Sequence, residues 1–150
     1  MKEATKLLLS LRKNSKRVQV EPKKYRGGKP NKCFQNSAFF SADKKEYQIV
    51  SGWLVGDYFK EVGTMFIPHY WVEHVPDGVY FDTTPKDPYQ TQEFEYVLDM
   101  DIYKHLTQTS YIPPPVVVRE NGSLQARLED GRYVNIKKID VLELYKLIRN

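Results

Sequence analysis

The chain of 150 residues has a single cysteine, Cys33, three histidines, and no long apolar run. One cysteine cannot form an internal disulfide, so nothing points to an oxidising compartment, and Cys33 is either a small buried hydrophobe or a working thiol. His69, His74 and His105 include no ligand-spaced pair such as His-x-x-x-His, so neither a metal nor another cofactor is expected. The longest apolar stretch near the start, Leu7 to Leu9 with Leu11, follows Glu3 and is closed by Arg12 and Lys13. That is too short for a signal peptide or a membrane span, and the reading is cytoplasmic, with no membrane partner. Repeats and low-complexity tracts are absent too, and 41% hydrophobic residues suffice for one domain with a substantial core.

Net positive charge is confined to one segment. Residues 1–32 hold eleven Lys and Arg against Glu3 and Glu21, a net of +9, whereas the other 118 residues carry 12 positive and 17 negative charges, a net of −5. A basic N-terminal arm of this kind can contact nucleic acid or an acidic protein. The favoured reading is a solvated helix and linker, since no nucleic-acid module accompanies the arm.

Residues 3–12 suit a short amphipathic helix, and "EPKKYRGGKPN", 21–31, reads as a loop that leads to the cysteine. With Asn31 as N-cap, Cys33 falls in the first turn of a helix, where free backbone N–H groups and the helix dipole favour a thiolate. Alternation in "EYQIVSGWLV", 46–55, predicts a strand with Tyr47, Ile49, Trp53 and Val55 on one face, and Gly52 marks a bulge or a close backbone approach. "MFIPHYWVEH" and "VYFDTT" are two further strands joined by "VPDG", 75–78, a sequence suited to a tight reversal. Residues 93–106 mix carboxylates and apolar residues at helical spacing and predict a surface helix. Turns at "NG", 121–122, and "DG", 130–131, predict a three-strand meander, and a helix introduced by Asp140 and Glu143 ends the chain.

A four-residue turn at 75–78 pairs His74 with Val79 and sets Asp82 opposite Trp71, on the face of His69 and one diagonal step from it. A slip of one residue would part them. Cys33, His69 and Asp82 then supply a thiol, a base and an orienting carboxylate, the set needed for covalent acyl transfer. The competing readings are a core thiol, a histidine satisfied by a backbone carbonyl and an ordinary turn aspartate. His74 and His105 are read as surface or structural residues.

The surroundings of these residues add to that reading. "HYWVEHVPDGVYFDTTP", 69–85, resembles the transglutaminase-like branch of the papain-like cysteine enzymes, through His69, Trp71 and Glu73, then Asp82 and Thr84 after a hairpin. The preceding "KEYQIVSGWLV" is similar to the strand that follows the nucleophile helix in that group, and the resemblance spans residues 31–85. Tyr70 replaces a usual small residue, and "YRGGKP" stands where papain-like peptidases carry an oxyanion-hole glutamine. Beside the Cys33 N–H, Tyr25 and Gln35 are candidate oxyanion donors, and Asn36 and Trp71 candidate substrate contacts.

The resemblance implies an α+β, papain-like (transglutaminase-like) fold, with the nucleophile at a helix N-terminus followed by an antiparallel sheet. The expected organisation is one domain, 1–150: a basic arm and helix over 1–32, a catalytic-like core over 33–106, and a β-meander with a C-terminal helix over 107–150. The expected function is cysteine-dependent acyl transfer on an amide or isopeptide bond of a protein or peptide. A peptidase or amidase is the default, and transglutaminase or deamidase chemistry shares its acyl-enzyme. The alternative is a non-catalytic papain-like module that binds nucleic acid or an acidic protein through the basic arm.

Overall fold

The computed structural model describes residues 1–57, 62–86 and 93–149. Within them lie four helices and a mainly antiparallel sheet, an α+β fold. In chain order the elements are α1 (Glu3–Leu11), β1 (Lys16–Val18), β2 (Val20–Pro22), α2 (Cys33–Ser41), β3 (Tyr47–Asp57), β4 (Thr64–His74), β5 (Val79–Asp82) and β6 (Glu95–Leu98). They are followed by α3 (Met100–Thr109), β7 (Val116–Val118), β8 (Leu124–Arg127), β9 (Tyr133–Ile136) and α4 (Val141–Arg149).

The centre of the sheet is the long β3–β4 pair, in register from Tyr47 opposite His74 to Asp57 opposite Thr64. β3 is buried on both faces from Val50 to Gly56, so its alternation separates two packed surfaces rather than core from solvent. Trp53 and Val55 face a core that includes Leu8 of α1, Ile102 of α3, and Val141 and Leu144 of α4. The opposite face carries Leu54 of β3, Ile67, His69 and Trp71 of β4, and Tyr96 of β6, by the parity of the ladders.

Gly52 shows why that second face can pack so closely. The ladder runs through it without a bulge, but a Cβ there would lie 2.0 Å from the Val97 carbonyl oxygen and 2.6 Å from the Trp71 ring. The glycine therefore serves close approach, the second of its two sequence readings.

Two segments differ from expectation. Residues 16–22 are not a solvated linker: β1 pairs antiparallel with β6, and β2 pairs parallel with β5. Since β1 and β2 are separated only by Gln19, and β6, β3, β4 and β5 are joined in turn, the ladders form a closed circuit. Apolar Val18 and Val20 give this charged stretch enough to bury, and Arg17 finds Glu95 at 3.0 Å. Residues 93–106 are not one helix either. Glu95–Leu98 is β6, and α3 begins after Asp99, which caps it by accepting from the Asp101 N–H. Tyr96 and Val97 favour a strand, and pairing with β1 and β3 outweighs the helical spacing.

The meander β7–β8–β9 and the closing α4 match expectation. Gly122 and Gly131 take the left-handed conformation that their turns require, with φ of 84° and 87°.

Gly52→Ala should force β6 away from β3 and cost about 1–3 kcal/mol or more, the range for overpacking a tight core. Urea denaturation monitored by tryptophan fluorescence measures the loss; an unchanged midpoint would show that the sheet yields freely there.

Candidate functional site

α2 starts at Cys33, as the sequence predicts, but its cap is Lys32 rather than Asn31. Asn31 has a φ of 62°, a left-handed conformation outside the extended geometry of a capping residue. Phe34 of α2 meets Tyr70 edge to face, at 5.2 Å between ring centroids, which seats the helix on β4. The free edge of β4 is divided there: β7 takes Met65 and Phe66, β5 takes Val72 to His74, and Pro68 sits between them. In this gap Cys33 lies near enough to His69 and to the Tyr70 backbone for both to lower its pKa.

The turn at 75–78 has the predicted length. His74 pairs with Val79 and Val72 with Phe81, so the same register carries Asp82 to the level of Trp71. His69 Nε2 lies 2.8 Å from Asp82 Oδ2. His74 turns the other way and bonds Asp77 at 2.9 Å. With Nε2 held by a carboxylate, Nε2 carries a proton and Nδ1 is the ring nitrogen that Asp82 leaves free, on a ring whose pKa Cys33 also raises. Thus Cys33, His69 and Asp82 lie at one place on the cleft wall, with His69 bonded to Asp82.

Tyr96 also belongs to this cluster and is absent from the sequence reading. Its hydroxyl donates to the same Asp82 Oδ2 at 2.5 Å, while Asp82 Oδ1 accepts from the Thr84 N–H at 3.0 Å. Placing 93–106 on a helix hid it, because only a strand at 95–98 turns Tyr96 toward β4. Trp71, fully buried, stacks on His69 with 6.2 Å between centroids and meets Tyr96 edge to face. These rings exclude water from one side of the imidazole.

Burial opposes charge on Cys33, His69 and Asp82, but their mutual contacts outweigh it. The His69 pKa is raised to about 10: burial lowers it, and Asp82 and Cys33 more than compensate. Cys33 is lowered from its ordinary value: burial raises it, whereas His69 and the Tyr70 backbone lower it further. Asp82 is lowered as well, because His69, Tyr96 and Thr84 overcome its burial. Both shifts in the Cys33–His69 pair favour thiolate and imidazolium over the neutral partners.

Cys33, His69 and Asp82 line a cleft of about 920 Å³ whose wall includes Gln19 between β1 and β2, Asn31, Leu54, Lys86 and Tyr96. Of the proposed auxiliary residues, Tyr25 and Gln35 are not among those lining it. Tyr25 packs edge to face on Phe40, and Gln35 is exposed. Asn36 is buried, bonding the Lys29 N–H and carbonyl and the Thr84 hydroxyl, so it holds the approach loop to the end of β5. Trp71 supports His69 from behind rather than facing the cleft. Among the described residues no group of three or more His, Cys, Asp and Glu could hold a metal ion, and no helix is long and apolar enough to cross a membrane.

Comparison of the chain with known family models, with curated proteins and with solved structures gave no match.

Tyr96→Phe removes a charge-assisted hydrogen bond from a buried carboxylate and should cost about 1.5–3 kcal/mol at neutral pH. Because that bond helps hold the Asp82 pKa down, the deficit is full above the unfolded value of about 3.9 and shrinks as the pH falls through the native one. Denaturant melts of both proteins across that range measure it; a pH-independent deficit would mean that Tyr96 acts by packing alone.

Proposed function

We propose that the protein is a cysteine-dependent acyl-transfer enzyme acting on amide or isopeptide bonds, with Cys33 as nucleophile, His69 as proton carrier and Asp82 as orienter. The observation that carries this reading is the His69–Asp82 hydrogen bond beside Cys33, with all three residues lining one open cleft. The fold that best accommodates it is the papain-like, transglutaminase-like one, which the order of helix, strand and hairpin supports.

The Cys33 thiolate attacks the carbonyl carbon, and the carbonyl electrons move to oxygen. His69 as imidazolium gives its Nδ1 proton to the leaving amine as the C–N bond breaks, leaving a thioester. It then takes a proton from water or an amine, which attacks the thioester and frees Cys33. Asp82 keeps the proton on Nε2 and stabilises the cation. For the oxyanion, the Cys33 N–H at the start of α2 is one donor. Gln19 and Asn31, amide side chains on the cleft wall, replace Tyr25 and Gln35 as candidates for the second. Hydrolysis is the default outcome.

The rival is a non-catalytic module that binds through the basic arm, and part of that arm is already engaged. Arg12 is engaged with Asp99 and Asp101, Arg17 with Glu95, and residues 16–22 are built into the sheet.

Alkylation of Cys33 by iodoacetamide should follow an inflection well below the free-thiol value of about 8.5 and remain fast through neutrality. His69→Ala should move that inflection up. Asp82→Asn should do the same and cut turnover of a mixed peptide library by about 10²–10⁴-fold, because an amide leaves the imidazole in the wrong tautomer. Mass spectrometry of the library, with and without a primary amine, distinguishes hydrolysis, amine incorporation and deamidation. Turnover that survives Cys33→Ala, or a thiol indifferent to His69, would refute the assignment.

A further inference from the structure

The chain between β2 and α2 does two jobs that its sequence alone does not separate. Its main chain is fastened to the site. The Lys23 N–H donates to the Asp82 carbonyl at 2.9 Å, and Lys29 is held through both its N–H and its carbonyl by the Asn36 amide. A Cβ on Gly28 would stand 2.9 Å from the Thr83 carbonyl oxygen, so the loop lies directly on the end of β5. Pro22 and Asn31, near its two ends, both line the cleft.

Four of its basic side chains are left over. Lys24, Arg26, Lys29 and Lys32 are exposed, and no carboxylate occurs between Glu21 and Asp43. None of the four forms an ion pair among the described residues, whereas Arg12 and Arg17, earlier in the same basic segment, are both paired with carboxylates. Lys86, also exposed, adds a cation to the cleft wall after β5. A loop fastened to the site, with both ends lining the cleft and four unpaired cations exposed between them, favours anions along its length.

We infer that the substrate is an acidic polypeptide segment, whose carboxylates lie along Lys24, Arg26, Lys29 and Lys32 while the bond to be attacked enters the cleft at Cys33. This rests on the acyl-transfer reading and specifies its substrate class. A polypeptide is favoured over nucleic acid because acyl transfer needs a carbonyl with a leaving amine, whereas the links of a nucleic-acid backbone are phosphodiesters. Free carboxylates suit a rim of mobile lysines, for which charge matters more than geometry.

Three chloroacetylated peptides, identical except for three successive glutamates, glutamines or lysines, report on this through Cys33 itself. In each the sulfur displaces chloride and forms a thioether, and each rate is divided by that of iodoacetamide on the same protein. The glutamate peptide should react about tenfold faster than the glutamine one at low salt, and the lysine peptide slowest. Added salt should bring the three together. The triple variant Lys24→Gln, Arg26→Gln, Lys29→Gln should lose the preference, its iodoacetamide rate showing that the site is folded. Equal rates for all three peptides, or a preference that survives in the triple variant, would overturn the inference while leaving the nucleophile intact. So would protection of Cys33 by a single-stranded oligonucleotide but not by oligoglutamate. A Cys33 inert even to iodoacetamide would sink the acyl-transfer reading, and this inference with it.

Discussion

β5 is four residues long and lies between β4 and β2, so the register in which it leaves the 75–78 turn fixes two features together. With His74 opposite Val79, Asp82 arrives on the face of His69, and Val20 to Pro22 find their partners along the other edge of β5. One residue of slip would turn Asp82 away from the imidazole and offer β2 the wrong pattern of side chains. Gly78, with a φ of 71°, lets the chain reverse in so few residues.

What the register brings together is costly to bury, and the surroundings are arranged to meet that cost. A carboxylate with little access to water must have its oxygens bonded. Asp82 is met by His69 and Tyr96 on Oδ2 and by the Thr84 N–H on Oδ1, from three different parts of the chain. The same is done away from the cleft by Asp99. It accepts from Arg12 Nε at 2.8 Å and from Trp53 Nε1 at 2.9 Å while capping α3, and so fastens α1 and α3 to the central strand. The raised His69 pKa stabilises the native state most below the unfolded value of about 6.5, and this contribution is lost as the pH climbs toward 10. The lowered Asp82 pKa acts in the opposite sense, contributing above about 3.9 and losing ground in acid. The two contributions are both full between about pH 3.9 and about pH 6.5.

The gap in the edge of β4 is the other enabling feature. A strand paired along its full length would have no room for a helix to present a side chain to the opposite face. Here β7 and β5 share that edge, with Pro68, which has no N–H to offer a ladder, between them. α2 lies on the helix-covered side through Phe34 and Tyr70, yet Cys33 lies near a histidine on the cleft side.

Local chemistry made much of this legible in the sequence. A "VPDG" turn has few geometries, alternation in a strand assigns faces, and a cysteine after a Pro- and Gly-rich approach lies naturally at a helix start. Those rules suffice to propose Cys33, His69 and Asp82 as a group and to recognise Gly52 as a place of close packing. The partners of a strand are not a local property. Residues 95–98 carry carboxylates and apolar side chains at a spacing a helix would also accept, and only pairing with β1 and β3 makes them a strand, which is why Tyr96 escaped notice. Residues 16–22 are too short and too charged to declare themselves, and they become strands because β5 and β6 leave edges that they can satisfy. Sequence thus determined the turns, the faces and the candidate chemistry, through steric and hydrogen-bonding preferences that act over a few residues. Tertiary structure alone decided the closed circuit of strands, the second donor on Asp82 and the cleft wall, because each depends on segments brought together from distant parts of the chain.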